Sequence, residues 1–291
     1  MAKSIRLRAF GKVNLSLNIT GKNSKSGLHE LDSVMMSADV FDTVTVTERA
    51  DGDIRVTFAN ADIGQNNTAY KAAKSVHDVI GGCGYDIVVE KGIPVGAGLG
   101  GSSADGAAVL RALDLFYHLP DKLDMRATAL SVGSDVPFML TGGLARVRGT
   151  GEDLFFIENK LSLFAVGLMS ESVSTAAAYS AFDGLHADCK HCPTDNDKLC
   201  DLLLAGNGEA VRLFGNALYE PAVTLCPTVK ANAELLKSLG ATVNLTGSGG
   251  MVLGYFTDIQ KFAECVAKLD GKQYYALAPV KTGILHEWIE R

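Results

Sequence analysis

One stretch constrains this chain more than any other: Pro94-Val95-Gly96-Ala97-Gly98-Leu99-Gly100-Gly101-Ser102-Ser103-Ala104-Asp105-Gly106. It follows the apolar run Ile87-Val88-Val89, a buried-strand pattern, and leads into Ala107–Leu113, a helix pattern. A strand, a flexible loop and a helix start together form an anion site. Glycines let backbone N–H groups approach an oxyanion, and the helix N-terminus adds partial positive charge. Ser102 and Ser103 can cap the helix or donate to a phosphate. The bland alternative is a glycine-rich turn before a capped helix. Glycines and paired serines packed before an Ala-rich helix favour phosphate binding. Two common phosphate patterns are excluded. No Gly-x-x-x-x-Gly-Lys-Ser/Thr is present, because Leu99 and Gly100 stand where Gly-Lys is needed. The dinucleotide fingerprint belongs to a first strand–turn–helix unit, which this is not.

The loop needs a fold to hold it, and composition supplies room for one. The chain has 291 residues, 47% of them hydrophobic, enough for one large domain or two joined ones. Charged residues make up 21% and the net charge is -6, which disfavours nucleic acid as a partner. No apolar run reaches membrane-spanning length, and the N-terminus enters a strand pattern without a signal-peptide core, so a cytoplasmic protein is expected. The six cysteines are expected to be free thiols. Cys189-x-x-Cys192 has metal-ligand spacing, with His186, His191 and Cys200 nearby. It lacks a second Cys pair and lies in a loop rich in Asp and Lys, so no metal is expected there.

Before the loop, residues 5–19 alternate. Ile5, Leu7, Ala9, Val13, Leu15, Leu17 and Ile19 share one face, and Lys12, Asn14, Ser16 and Asn18 share the other. Lys12 and Asn14 therefore project together. A solvated face is the commoner meaning of such a pattern. A phosphate loop elsewhere makes a cleft the better one, since developing negative charge needs a cation and an amide donor. A polar loop at 21–27 delivers Leu28-His29. Strand patterns at Thr43–Thr47 and Ile54–Phe58 flank Asp51-Gly52-Asp53, which predicts a hairpin turn. Ala69, Ala72, Ala73, Val76 and Ile80 mark a helix that Gly81-Gly82 stops.

After the loop, Leu123, Ala127 and Leu130 predict one face of a short helix ending at Gly133. Asp135 stands just before Val136-Pro137, where proline fixes a bend; the simple reading of this acid is a helix cap. Turn-rich segments at 141–145 and 149–152 suggest a domain boundary. A strand pattern at 161–168, an irregular loop over 184–200 and helical stretches around 201–207 and 231–239 follow. Thr242–Leu245 is a strand entering a second glycine-rich loop, Thr246-Gly247-Ser248-Gly249-Gly250, and Met251–Phe256 leaves it. Two glycine-rich loops in opposite halves suggest a site shared by two domains.

These pieces resemble the GHMP kinases, named for galactose, homoserine, mevalonate and phosphomevalonate kinases. Pro94–Ala104 resembles their Pro-x-x-x-Gly-Leu-Gly-Ser-Ser-Ala loop with one extra residue. The match continues through Lys12-Val13-Asn14-Leu15, Gly27–Leu31, Gly133–Phe138, Gly149-x-Gly151-Glu152, Val173–Tyr179, Asn216–Pro221 and Thr246–Gly249, in order along nearly the whole chain. Within the superfamily the resemblance is to the branch that phosphorylates a cytidyl-bearing methylerythritol on the non-mevalonate route to isoprenoid precursors.

The resemblance implies an α+β protein with two domains. Residues 1–155 would carry the phosphate loop, and 156–291 would form an α/β sandwich-like domain with the active site in the cleft between them. It implies ATP and Mg²⁺, a small-molecule cytidyl substrate, no nucleic acid or membrane partner, and a monomer or homodimer. Asp135 and Lys12 match the family's catalytic Asp and Lys. Pro94, Gly96, Gly98, Leu99, Gly100, Gly101, Ser102, Ser103 and Ala104 match the ATP loop, with Lys91 and Asn67 near the nucleotide. Asn14 matches a residue beside the substrate, His29 the reader of the cytosine edge, and Tyr179 an aromatic stacked on the base. Thr175, Gly247, Ser248 and Gly249 fall in substrate-binding segments. Leu28 stands where the family usually has Tyr, and Phe10-Gly11 where Pro-Ala is usual. A mevalonate- or homoserine-type kinase and a non-catalytic nucleotide sensor are the alternatives; Lys12, Ser103 and Asp135 together weigh against the sensor.

Overall fold

The computed structural model describes residues 3–290. Its elements run β1 (Ser4–Lys22), β2 (His29–Arg49), β3 (Ile54–Phe58), α1 (Thr68–Ile80), β4 (Gly84–Glu90), α2 (Gly101–Tyr117), α3 (Met125–Val132), α4 (Val136–Thr141), β5 (Leu144–Gly149) and β6 (Asp153–Phe156). Then come β7 (Phe164–Met169), α5 (Thr175–Leu185), α6 (Asn196–Leu204), β8 (Gly215–Asn216), α7 (Tyr219–Leu225), α8 (Pro227–Ser238), β9 (Thr242–Leu245), β10 (Met251–Phe256), α9 (Ile259–Ala267), β11 (Tyr275–Leu277) and β12 (Ile284–Glu290). No helix among the described residues is long and apolar enough to cross a membrane.

The first sheet has the order β12-β1-β2-β4-β3, and its backbone is the long antiparallel hairpin β1–β2. The register slips between Phe10 and Gly11, and there the hairpin changes neighbours. β5 pairs with Leu31–Met36 of β2, whereas β4 pairs with Thr43–Arg49. A Cβ on Gly11 would sit 3.1 Å from the Leu99 carbonyl oxygen, so a small residue at this kink lets the phosphate loop approach β1. Helix α2 packs on β1 and β2 and against α1 and α4. Its residues Ala104 to Leu110 are all buried, which fits an Ala-rich helix pressed between layers.

The second sheet, β11-β7-β10-β9, is antiparallel throughout, and α8 and α9 pack on it. Two segments of the second half return to the first sheet. β8 pairs in parallel with Ser16 and Leu17 of β1, and β12 pairs antiparallel with the start of β1. Sheet pairing by both β8 and β12 therefore crosses a division at 155/156.

Several expectations are corrected. β2 and β3 do not form a hairpin: β4 lies between them, pairing antiparallel with β2 and parallel with β3. Alternation identifies a strand but not its partner, and β4 buries Tyr85, Ile87 and Val89, which suits an interior position. Leu144, Ala145 and Gly149, which fall in the segments expected as turn, belong to β5. Helix α3 buries Ala129 and Val132 and leaves Ala127 exposed, so its inner face is not the expected one. Helix α6 begins at Asn196, inside the segment expected to be irregular, with Asp195 capping it.

The polar face of β1 is also buried. Lys12, Asn14, Ser16 and Asn18 are no more than 4% exposed. Hydrogen bonds from the second half of the chain cover this face. Ser16 Oγ donates to Asn196 Oδ1 at 2.6 Å, and Asn18 Nδ2 to the Thr194 carbonyl at 2.7 Å.

Candidate active site

The phosphate loop turns through left-handed conformations at Gly96, Gly98 and Gly100, with φ of +76°, +77° and +73°. Its Leu99 carbonyl accepts from the Lys12 backbone N–H at 2.9 Å, fixing loop to strand. Gly100 is the N-cap of α2 and no side chain caps it, so the first N–H groups of the helix are left for a ligand. Ser102 Oγ shares a hydrogen bond with Thr68 Oγ1. Ser103 stands in the first turn, lines the cavity, and its hydroxyl has no protein partner among the described residues. Ala104 does not line the cavity: it faces the core, 1% exposed.

Under the loop lies a buried ion cluster that sequence reasoning did not find. Lys91 Nζ pairs with Asp105 Oδ2 at 2.9 Å and also with Asp42. Asp42 Oδ1 accepts from the backbone N–H groups of Gly92 and Ile93, each at 2.8 Å. A Cβ on Gly101 would meet Lys91 Nζ at 3.1 Å, so the ammonium sits against the start of α2. Lys91 borders the cavity, but its charge is committed to Asp42 and a further N–H to Asp105. Burial drives the Asp105 carboxyl up to about 8; Lys91 opposes this and the Asp42 charge adds to it. Asn67 also borders the cavity, with its side chain occupied: Oδ1 caps α1 by accepting from Tyr70 N at 2.9 Å.

The second glycine-rich loop packs on the first, backbone to backbone. A Cβ on Gly250 would fall 1.9 Å from the Gly96 carbonyl oxygen, and one on Gly98 would fall 2.2 Å from that of Thr246. Asn14 ties the second loop to the β1–β2 hairpin. Its Oδ1 accepts from Lys12 Nζ at 2.7 Å and Gly247 N at 3.0 Å, and its Nδ2 donates to Ser33 Oγ at 2.9 Å. Asn216 and Asn244 had no role from sequence. Asn216 Nδ2 donates to the carbonyls of Leu245 and Gly247, and Asn244 Nδ2 to those of Asn14 and Leu15. Gly249 packs behind the loop against Val173 and Ala222 and does not line the cavity, whereas Gly247 and Ser248 do. Ser248 Oγ lies 2.9 Å from Thr175 Oγ1 at the start of α5.

Lys12 and Asp135 meet across this junction. Lys12 Nζ lies 3.5 Å from Asp135 Oδ2, with the lysine side chain 5% exposed and the aspartate 28%. Asp135 occupies the N-cap position of α4, with Pro137 in the first turn, yet its side chain makes no capping bond. The carboxylate is thus free to face the cavity, and the cap reading falls away.

At the far end, His29 stacks on Tyr179 with ring centroids 4.6 Å apart and 28° between planes. Phe182 meets the same imidazole edge-on at 5.9 Å. Burial, with the Asp135 charge adding, pushes the Tyr179 phenol well up and keeps it neutral. Leu28 is 54% exposed at the rim. A single cavity of about 900 Å³ connects these features, from Asn67 and the phosphate loop past Lys12 and Asp135 to His29 and Tyr179. That volume is at the large end of the range for ligand pockets.

Among the described residues, the side chains close enough to share a metal ion are His29, Asp183 and Cys189, with ligand atoms within 4.8 Å of one another. This is a different grouping from Cys189-x-x-Cys192; Cys192 Sγ instead reaches the Ile19 carbonyl at 3.6 Å. Lys22 Nζ already holds Asp183 Oδ2 at 2.6 Å. Burial and the neighbouring Asp183 push the Cys189 thiol up, so it stays protonated.

Comparison with known proteins places this geometry. The family model described as GHMP kinases N terminal domain matches residues 67–143, from the cap of α1 through the phosphate loop to α4. The chain is 34% identical over 278 residues to a 4-diphosphocytidyl-2-C-methyl-D-erythritol kinase of Desulfitobacterium hafniense, covering 93% of each chain. A crystal structure of 4-(cytidine 5'-diphospho)-2C-methyl-D-erythritol kinase superposes with a TM-score of 0.75 at 29% identity, covering 94% of this chain and 99% of that one. Homoserine kinase from Cytophaga hutchinsonii shares the fold, with a TM-score of 0.69 at 17% identity, covering 98% of this chain and 97% of that one.

Proposed function

The chain belongs to the 4-diphosphocytidyl-2-C-methyl-D-erythritol kinase family, and from that premise we infer that it transfers the γ-phosphoryl of ATP to a hydroxyl of this cytidyl substrate, giving the 2-phosphate. The observation that carries the inference is one cavity holding an uncapped helix N-terminus at one end, an imidazole–phenol pair at the other, and Lys12 facing Asp135 between them. The acidic balance, at -6, supports a small-molecule partner rather than nucleic acid.

Phosphoryl transfer needs positioning and charge stabilisation more than covalent help. The N–H groups at the start of α2 and the phosphate loop bind the ATP phosphates. Asp135 orients the substrate hydroxyl in line and accepts its proton. The hydroxyl oxygen bonds to the γ-phosphorus as the bridging P–O bond to the β-phosphate breaks, and ADP leaves. Lys12, held by Asn14, stabilises charge on the transferring phosphoryl. A free hydroxyl and an oxygen-only carboxylate suit a hard cation, so Ser103 and Asp135 are the side chains that would hold Mg²⁺. When bound, the ion would neutralise phosphate charge. His29 and Tyr179 take the cytosine end, and Thr175, Gly247 and Ser248 border the polyol.

A coupled ADP-release assay tests this against the alternatives. ADP is expected with the cytidyl substrate and not with mevalonate or homoserine. Turnover of either of those instead would favour another kinase of the superfamily. No turnover with any would favour a nucleotide sensor.

A further inference from the structure

The base-reading end contains a residue that neither the motifs nor the mechanism uses. Helix α5 carries Tyr179 and Asp183 four residues apart, on one face. Tyr179 stacks on the His29 ring, and Asp183 grips its edge: Oδ1 lies 2.7 Å from His29 Nε2. The other carboxylate oxygen accepts from Lys22 Nζ at 2.6 Å. Burial pulls the Asp183 carboxyl upward, but the hydrogen bonds from Lys22 and His29 outweigh it and hold the group below its ordinary range. An ionised carboxylate only accepts hydrogen bonds. The proton of a neutral His29 therefore belongs on Nε2. Nδ1 is left bare, and it makes no hydrogen bond among the described residues. The ring is 11% exposed and lines the cavity.

We propose that Asp183 is the positioning residue for base selection: it fixes the His29 tautomer so that Nδ1 is presented to the substrate as a hydrogen-bond acceptor. Cytosine carries an exocyclic amine, a donor, where uracil carries a carbonyl oxygen. An acceptor matches the first and faces a lone pair on the second, so the tautomer selects cytidyl over uridyl substrates. Lys22 supports the arrangement by keeping Asp183 charged. The inference rests on the kinase reading above and deepens it.

The test combines turnover with spectroscopy. ADP release is measured for the cytidyl substrate and its uridyl counterpart in wild type and Asp183→Asn. An Asn can accept from Nε2–H or donate to a bare Nε2, so it no longer dictates the tautomer. The expected result is a cytidyl KM raised about twofold with little change in kcat or in KM for ATP, and a cytidyl-over-uridyl preference reduced by a similar factor, the population cost of a roughly equal tautomer mixture. Long-range ¹H–¹⁵N NMR of the imidazoles, with His29 assigned by its loss in His29→Asn, should show the Nε2–H form in wild type and a mixture in Asp183→Asn. Retained preference with an unchanged tautomer in Asp183→Asn overturns the proposal and leaves the kinase reading standing. Equal use of both substrates by wild type defeats the base reading itself, and the proposal with it. If Asp183→Asn does not fold, the wild-type spectrum decides, because an Nδ1–H form overturns the proposal alone.

Discussion

Replacing Gly98 by alanine probes the point on which the site depends, the contact between the two glycine-rich loops. Two penalties add. The residue has φ +77°, a left-handed conformation that costs an alanine roughly 1–2 kcal/mol. Its Cβ would also lie 2.2 Å from the Thr246 carbonyl oxygen and 3.2 Å from that of Gly249. Both are backbone atoms and cannot rotate away. The loop that carries them is pinned by Asn216 at 2.9 Å to the Gly247 carbonyl, and by Asn14 N at 3.2 Å to Thr246 Oγ1. Overpacking of this kind adds about 1–3 kcal/mol, so the expected loss of stability is roughly 2–5 kcal/mol. Relief requires the loops to part by roughly 1 Å, a displacement that on the order of 10²-fold in turnover reflects when it reaches reacting groups. Gly271→Ala is the control, because its φ is +73° and nothing lies within 4 Å of the added Cβ. It should show the backbone penalty alone, with normal turnover. Urea denaturation and ADP release on both variants give the comparison. Equal stability losses and unaltered turnover in Gly98→Ala would refute the backbone-to-backbone packing of the loops.

Asp135→Asn is expected to retain the fold and lower kcat by ~10²-fold or more, the scale of a lost proton acceptor; near-normal turnover would remove that role. Lys12→Ala should also depress kcat, and an effect confined to substrate KM would reduce Lys12 to a binding group. The cluster under the loop predicts a pH effect through Asp105. Its folded-state pKa, driven up to about 8 by burial, lies above the unfolded value near 4. The folded state therefore holds a proton that the unfolded state has lost. This contribution is full below the unfolded pKa and disappears as pH rises through about 8. Wild-type Tm should fall from pH 6 to pH 9 more steeply than that of Asp105→Asn, a neutral residue of the same shape. Parallel slopes would show that Asp105 does not titrate there.

Local pattern was enough for the parts of the site that make local demands. A phosphate loop needs left-handed turns and an open helix start, and both are written in Gly96, Gly98, Gly100 and the serines that follow. Alternation along β1 put Lys12 and Asn14 on one face, and proline at 137 left Asp135 at a bend. Tertiary structure decided what these residues have left to offer. Lys91 spends its charge on Asp42 and a hydrogen bond on Asp105, Asn67 caps α1, and Asn14 ties the second loop to the hairpin rather than facing the cavity with a free amide. It also decided that β4 separates β2 from β3, and that Asp183, 154 residues beyond His29, holds that imidazole. The physical reason is the same in each case. Backbone conformation and side-chain periodicity are properties of neighbouring residues, and a sequence carries them openly. A hydrogen bond across the fold depends on where two distant elements pack, and whether a polar group is free depends on everything packed around it.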